Sequence, residues 1–394
     1  MKLLFHANRF PYPPYRGDKL KIYNLSKHLS KKHELHLITF LENEEDIKYL
    51  PELEKIFTSI HLVQLPPKKA ILNTLRTSYK RGIPFQIGYF FMEEMQNKIQ
   101  EILTIHKFDA VHIQHIRLAP YWKNIKDIPR ILDLPDAFSL YWKRRRKNSK
   151  FIKKAFNSIE YNRLRNYEKV IKDFDLALVC SKEDLDYLKL EHNLDNLQLL
   201  PNGVNTNVFP LETHDYSINH NILFTGNMDY EPNIDAVTYF TSNIWPILKK
   251  EFPKLKFIIA GQRPNKKILE LAKLKDVKVT GFVKDIANEY RNASILVAPL
   301  RYGAGTQNKV LEAMAMGVPV VSHKIGFEGL EIHQGQGVWM EADKESFINK
   351  CKELILSEEL RSRTGRAGQT VIKERYNWEK ISKKLEFYFK EIQN

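Results

Sequence analysis

A chain of 394 residues exceeds the size at which one hydrophobic core usually keeps growing, so two domains are expected, and 43% hydrophobic residues can fill both cores. Cys180 and Cys351 are the only cysteines, too few for a disulfide framework and unlike any zinc spacing, which fits a reducing cytosol. The formal charge of +15 is uneven, with 35 Lys/Arg against 24 Asp/Glu in residues 1–200 and 27 against 23 in residues 201–394. No run of about 18 apolar residues offers a membrane span, and Leu3-Leu4-Phe5 runs at once into His6, Asn8 and Arg9, so no export signal is expected.

Short β-rich runs alternate with helical stretches, the pattern of βα units around parallel sheets. In the first half the composition predicts strands at Leu3–Ala7, Glu34–Phe40, Asp109–Ile113, Arg130–Leu134 and Leu176–Ser181. After the first strand comes Pro11-Tyr12-Pro13-Pro14-Tyr15-Arg16-Gly17-Asp18-Lys19, and Ile22, Leu25 and Leu29 then mark a helix. Gly17 at the start of that helix suits an anion or sugar contact, while the prolines equally suit a shaped connection. His112 and His115 end the third strand and Asp133 and Asp136 the fourth, and ligands of open parallel sheets collect at carboxyl ends of strands. A carboxylate at Asp136 can face the cleft as a ligand contact or cap a helix. His112 reads more naturally as a core residue.

The basic excess peaks at Lys143-Arg144-Arg145-Arg146-Lys147, continued by Lys150, Lys153 and Lys154 with Phe151, Ile152 and Phe156 interleaved. Lys143–Lys154 suits an anionic membrane surface; nucleic acid and a solvated helix face are the alternatives. Asp184-Leu185-Asp186 has the D-x-D form of a metal motif, but it follows Ser181 at a helix start, where acidic residues favour the dipole. The apolar run Leu197–Leu200 leads into Pro201-Asn202-Gly203-Val204, a turn-forming cluster where the domains join. The expected domains are 1–200 and 201–375, with 376–394 as a final helix.

The second half predicts strands at Asn221–Thr225, Leu255–Ala260, Val277–Thr280, Ser294–Ala298 and Val318–Ser322. Gly226 and Asn227 follow the first of these, and Arg263 follows the second. The most informative stretch is 299–321. Its small residues Gly303, Ala304, Gly305 and Thr306 let backbone approach a ligand, and Gln307 and Asn308 then open a helix whose free N–H groups and positive dipole end favour phosphate. Lys309 adds a full charge, and Glu312, three residues on, lies on the same face and can accept from ribose hydroxyls. The last segment, Trp378 to Ile392, is amphipathic, with Ile381, Leu385, Tyr388, Phe389 and Ile392 on one face.

Residues 299–321 resemble the nucleotide-sugar signature of family 4 glycosyltransferases. The opening Phe10-Pro11-Tyr12-Pro13-Pro14 with Gly17-Asp18-Lys19 looks most like a bacterial subgroup associated with exopolysaccharide loci. The resemblance implies an α/β chain of the GT-B fold, two doubly wound Rossmann-like domains facing a cleft, with the last helix crossing back onto the first. It implies sugar transfer from a nucleotide diphosphate donor to a glycan or lipid-linked acceptor with retention, no cofactor and no metal. It assigns donor contacts to Gly17, Gly226, Asn227, Gly303, Ala304, Gly305, Thr306, Gln307, Asn308, Lys309 and Glu312. Catalytic roles fall to Asp136, Lys309 and Arg263, and acceptor contacts to His115 and Asp133. Two departures stand out. Ala304 occupies the place of the first of two glutamates eight positions apart, and the loop at Asn227 lacks the arginine and lysine common there, for which Arg263 is the substitute. The implied location is cytoplasmic, peripheral at the inner face of the plasma membrane, with no nucleic-acid partner. Rival readings are an epimerase or hydrolase on the same fold and a non-catalytic nucleotide-sugar-binding protein.

Overall fold

The computed structural model describes residues 1–15, 17–147, 151–303 and 305–393, with the backbone alone at Tyr79, Lys80, Arg81 and Phe151; Arg16, Lys150 and Ala304 lie outside the described residues. The chain forms two units, one of Met1–Asn202 with Trp378–Asn394 and one of Gly203–Asn377. Among the described residues no helix is long and apolar enough to cross a membrane.

The first unit is built on seven parallel strands: β1 (Lys2–Ala7), β2 (Glu34–Leu41), β3 (Ser59–Gln64), β4 (Ala110–Gln114), β5 (Arg130–Leu134), β6 (Leu176–Val179) and β7 (Leu197–Leu199), in the order β3-β2-β1-β4-β5-β6-β7. The order reverses between β1 and β4, whose carboxyl ends therefore border a crevice. Helices cover both faces, which is why the central strands are apolar on both sides: Leu3 and Phe5 join one core and Leu4 the other. The helix Gly17–Leu29 buries Ile22, Leu25 and Leu29 in the same cluster as Trp378, Ile381, Leu385 and Phe389 of the final helix Trp378–Glu391. The end of the chain is thus part of the first unit's core, and Tyr388 adds a hydrogen bond from its hydroxyl to Leu199 O at 3.2 Å.

The second unit holds β8 (Asn221–Thr225), β9 (Lys256–Ala260), β10 (Val277–Gly281), β11 (Ile295–Ala298), β12 (Val320–Ser322) and β13 (Val338–Met340), all parallel, in the order β10-β9-β8-β11-β12-β13. Here the order reverses between β8 and β11. Three strands were not predicted as such, β3, β7 and β13, and each is a sheet edge. An edge strand is short or covered on fewer sides, so its apolar pattern is weaker; four of the six residues of β3 are half-exposed and only Val63 is buried.

Candidate donor site and the carboxyl ends of the sheets

In the second unit the chain leaves β8 through Gly226 and β11 through the loop ending at Gln307, the two exits at the switch point. Gly226 has φ +152° and Gly261, after β9, +154°. Their backbones press together: a Cβ on Gly261 would lie 1.7 Å from Gly226 O, and one on Gly226 would lie 2.6 Å from Asn233 Nδ2. Glycine is needed at both places by contact as well as by conformation. Asn233, in the first turn of the helix Glu231–Asn243, fixes this loop by donating from Nδ2 to Asn227 O at 2.9 Å. Gln262 Nε2 donates to Asn227 Oδ1 at 2.8 Å.

The helix Asn308–Ala315 starts after the loop and presents Lys309 to the same place. Lys309 is buried, donates from Nζ to Asn233 Oδ1 at 2.6 Å, and has its ammonium 4.3 Å from the centre of the Phe224 ring. Burial pushes its pKa down to about 7, partly offset by the charge of Glu312. Glu312 Oε2 accepts from the Tyr290 hydroxyl at 2.8 Å, and that hydroxyl also lies 2.7 Å from Thr225 Oγ1. Burial raises the Glu312 carboxyl, while Tyr290 and Lys309 oppose the rise. Gly226, Asn227, Lys309 and Glu312, far apart in sequence, are thereby joined through Asn233 and Tyr290. Neither of these two connecting residues was singled out by the sequence. Asn233 carried a faint signal, sitting in the first turn after Gly226; Tyr290 carried none, since one inward tyrosine on a six-residue helix has no distinctive spacing.

Gly303 and Gly305 have φ +152° and +70°, and Gly303, Gly305 and Thr306 are buried. Gln307 occupies the N-cap without a capping bond from its side chain, and Asn308 begins the helix. Arg263 stands apart: its side chain is 65% exposed, its φ is +56°, and it pairs with Asp229 at 3.5 Å.

In the first unit Asp133 is fully buried at the end of β5, with Oδ1 2.6 Å from Lys21 Nζ and Oδ2 3.2 Å from His112 Nε2. Lys21 also donates to Leu200 O at 3.1 Å. Both carboxylate oxygens of Asp133, expected to contact an acceptor, are bonded inside the domain, where they tie the first helix to the sheet. Burial alone would raise the Asp133 pKa, but Lys21 and His112 outweigh it and hold it low. His115 is nearly buried at φ +92°, accepts from Arg117 N at 3.4 Å and packs edge-on to Phe138 at 4.4 Å; burial holds its pKa well below the usual value, so its imidazole is neutral. Gly17 is the exposed first residue of its helix.

Asp136 is half-buried, and its pKa is pushed up to about 7 by burial and then by the charge of Asp184. Asp184 is itself raised to about 6 by burial, against hydrogen bonds from Ser181 and the Ala137 backbone. One ligand atom each from Asp136, Cys180 and Asp184 lies within 4.8 Å of the others. The D-x-D pair is split: Asp184 is buried and takes a 2.6 Å bond from Ser181 Oγ, whereas Asp186 is exposed and pairs with Lys182 at 2.8 Å. The basic run is held in as well, with Lys143, Arg145 and Arg146 over the rings of Tyr187, Trp142 and Tyr161 at 5.1, 5.1 and 4.7 Å.

Two Rossmann-like domains, the second with a cation and a carboxylate at its switch point, define the fold class: GT-B. Residues 219–357 match the family described as Glycosyl transferases group 1, and this part of the chain is such a domain. The chain is 24% identical over 378 residues to an uncharacterized 44.6 kDa protein in the cps region of Klebsiella pneumoniae, covering 91% of this chain and 93% of that one. It is 23% identical over 392 residues to one subunit of the human phosphatidylinositol N-acetylglucosaminyltransferase, covering 96% of this chain and 73% of that one. Among solved structures, Anabaena HepE in complex with UDP superposes with a TM-score of 0.70 at 15% identity, covering 99% of this chain and 100% of that one. Sucrose-phosphate synthase from Thermosynechococcus elongatus gives 0.75 at 13% identity, over 100% and 99%.

Proposed function

We propose that the protein transfers a sugar from a nucleotide diphosphate donor to a glycan or lipid-linked acceptor with retention of configuration, in cell-surface polysaccharide synthesis. The observation that carries this reading is the joining of Lys309 and Glu312, through Asn233 and Tyr290, to the Gly226 loop. The diphosphate takes its hydrogen bonds from Lys309 and from the start of the helix Asn308–Ala315, and the ribose hydroxyls donate to Glu312. Arg263 exchanges Asp229 for phosphate. HepE has been captured with UDP and with UDP-glucose, and a relative lies in a cps region, both of which support the substrate class and the setting.

In the reaction the acceptor oxygen bonds to the anomeric carbon on the face that the diphosphate leaves. The departing phosphate oxygen takes the acceptor's proton, so no enzymic nucleophile is needed. Lys309 and the helix start stabilise charge on the leaving group, the part a metal ion plays elsewhere, and no cofactor is required. Asp136 of the first domain is assigned a sugar hydroxyl or the positive charge at the anomeric carbon, and His115 the acceptor. A cytoplasmic position at the inner face of the membrane follows from such an acceptor.

The test is a thermal-shift series with UDP, GDP, ADP, CDP and dTDP on wild type and Lys309→Ala. One diphosphate should raise the melting temperature of wild type alone. Silence from all five would overturn the donor site. Donor consumption that needs no acceptor would point to an epimerase or hydrolase, and binding without turnover to a non-catalytic protein.

A further inference from the structure

The chain leaves β1 through Asn8 and Arg9 and β4 through His115, Ile116 and Arg117, the two exits at the switch point of the first sheet. Polar atoms are buried at the first exit without partners. Asn8 has no exposed surface, yet among the described residues neither its Nδ2 nor its Oδ1 meets a hydrogen-bond partner. His6, two residues earlier, lies with Nδ1 2.7 Å from Trp122 Nε1, and an indole N–H can only donate. Burial pushes the His6 pKa down to about 3, so the neutral ring carries its proton on Nε2, a buried donor that is also unmatched. Arg9 Nε lies 3.2 Å from Glu42 Oε2 but makes no hydrogen bond. Each unmatched buried group costs about 1–3 kcal/mol, and folded proteins keep few of them. Ligands of open parallel sheets collect at these exits, so such a run marks a contact to something outside the fold.

The same place carries positive charge. The guanidiniums of Arg9 and Arg117 lie 5.9 and 5.0 Å from the centre of one ring, Phe90. Both add to burial in lowering the His115 pKa, which puts both within electrostatic reach of one imidazole. Arg117 donates from Nε at 3.0 Å and from Nη2 to Oε1 of Gln86, an amide that offsets none of its charge. The carboxyls at this exit are Glu42, 31% exposed beside Arg9, and Asp136, on which the Arg117 charge acts. His115 is held at φ +92°, a strained conformation that its surroundings must enforce. Two guanidiniums beside an unmatched amide suit an oxyanion, which accepts from forked N–H donors in pairs; a neutral hydroxyl needs neither charge.

We propose that the acceptor carries an oxyanion, a phosphate or a carboxylate, held by Arg9, Arg117 and the Asn8 amide at the carboxyl ends of β1 and β4. The oxyanion displaces Glu42 from Arg9 and accepts from Asn8 Nδ2, while Asn8 Oδ1 accepts from a hydroxyl of the same molecule. Calling this ligand the acceptor rests on the transferase reading; the anion contact itself does not, and no donor-site residue takes part in it.

Calorimetric titration of the full chain with inorganic phosphate and, separately, with glucuronate tests it. Lys309→Ala keeps the anion out of the donor site, and wild type saturated with the diphosphate that stabilises it provides a second arrangement. Arg9→Gln and Arg117→Gln should each weaken binding by about tenfold or more. Glu42→Gln should strengthen it, because a competing carboxylate is gone. Opposite signs from Arg9→Gln and Glu42→Gln separate a charge effect from damage to the fold. Tighter phosphate supports a phosphorylated acceptor, and tighter glucuronate an acidic sugar. Binding of neither probe, binding that both arginine substitutions leave unchanged, or weaker binding by Glu42→Gln overturns the proposal. The melting-temperature response to nucleoside diphosphate reads the donor site separately. Its loss with oxyanion binding intact overturns the donor site alone, and an intact response without oxyanion binding overturns this contact alone.

Discussion

The carbonyl oxygen of Gly226 lies 1.7 Å from where a Cβ on Gly261 would stand. The loops after β8 and β9 therefore touch backbone to backbone, next to the bonds of Asn233 with Asn227 and Lys309. Gly261→Ala should cost about 2 kcal/mol or more and abolish the melting-temperature response to nucleoside diphosphate. A variant within about 0.5 kcal/mol of wild type that still responds would show that the loop relaxes around the methyl group.

Lys309 has a folded-state pKa of about 7, below that of a free lysine. Between these two values the unfolded chain binds more protons, so this residue's contribution to stability rises with pH across that window and is least favourable below about 7. Lys309→Met should melt higher than wild type at pH 6, with the advantage shrinking towards pH 9, and should lose diphosphate binding. Because the bound diphosphate favours the ammonium form, wild-type affinity should weaken as pH rises above 7, by up to about tenfold per unit. Calorimetry in buffers of different ionisation enthalpy reads the accompanying proton uptake, and a flat profile from pH 7 to 9 contradicts the assignment.

Asp136 and Asp184 are raised to about 7 and about 6, so both are protonated in the fold where they would be ionised in the unfolded chain. Their stabilisation is complete below the usual carboxyl range and is lost as pH rises through 6 to 7. Asp184→Asn should raise the melting temperature at pH 8 and lower the Asp136 pKa, since the Asp184 charge is the second cause of its elevation. Carbon-13 titration of the carboxyls measures this directly; an Asp136 value unchanged by the substitution would disprove the coupling.

Lys21 and Asp133 form a buried pair at 2.6 Å. Lys21→Met leaves the Asp133 carboxylate with His112 alone and should cost about 3–5 kcal/mol, part of which Lys21→Met with Asp133→Asn recovers. The folded Asp133 pKa is depressed, so its contribution is present above the ordinary aspartate range and fades as pH falls through the folded value. The wild-type advantage over the double variant should therefore shrink in acid. Denaturation curves at pH 7 and pH 3 check both statements.

Much of this was legible in order of residues. The central strands announced themselves because both faces are covered, and the small-residue loop before Asn308 marked the ligand end of the second sheet. Three of the four edge strands, β3, β7 and β13, were silent because half-exposed residues keep no strict pattern. The partners of Asp133 were hidden because the end of a strand says where a side chain begins and not which partner meets it. Lys21 reads as one more cation on a basic helix, and only the sheet beneath shows its burial.

Sequence alone determined the alternation of β and α, the presence of two domains and the pairing of Lys309 with Glu312 on one helical face. Those are consequences of periods of two and 3.6 residues, which a chain carries locally. Tertiary structure decided what each charged group does. It put Asn233 against Lys309, Tyr290 against Glu312, Asp184 beside Asp136 and Lys21 under Asp133, and it left Ile71, Leu72 and Leu75 outside. Burial and partners at distant positions set protonation and exposure, and neither is a property of neighbours along the chain.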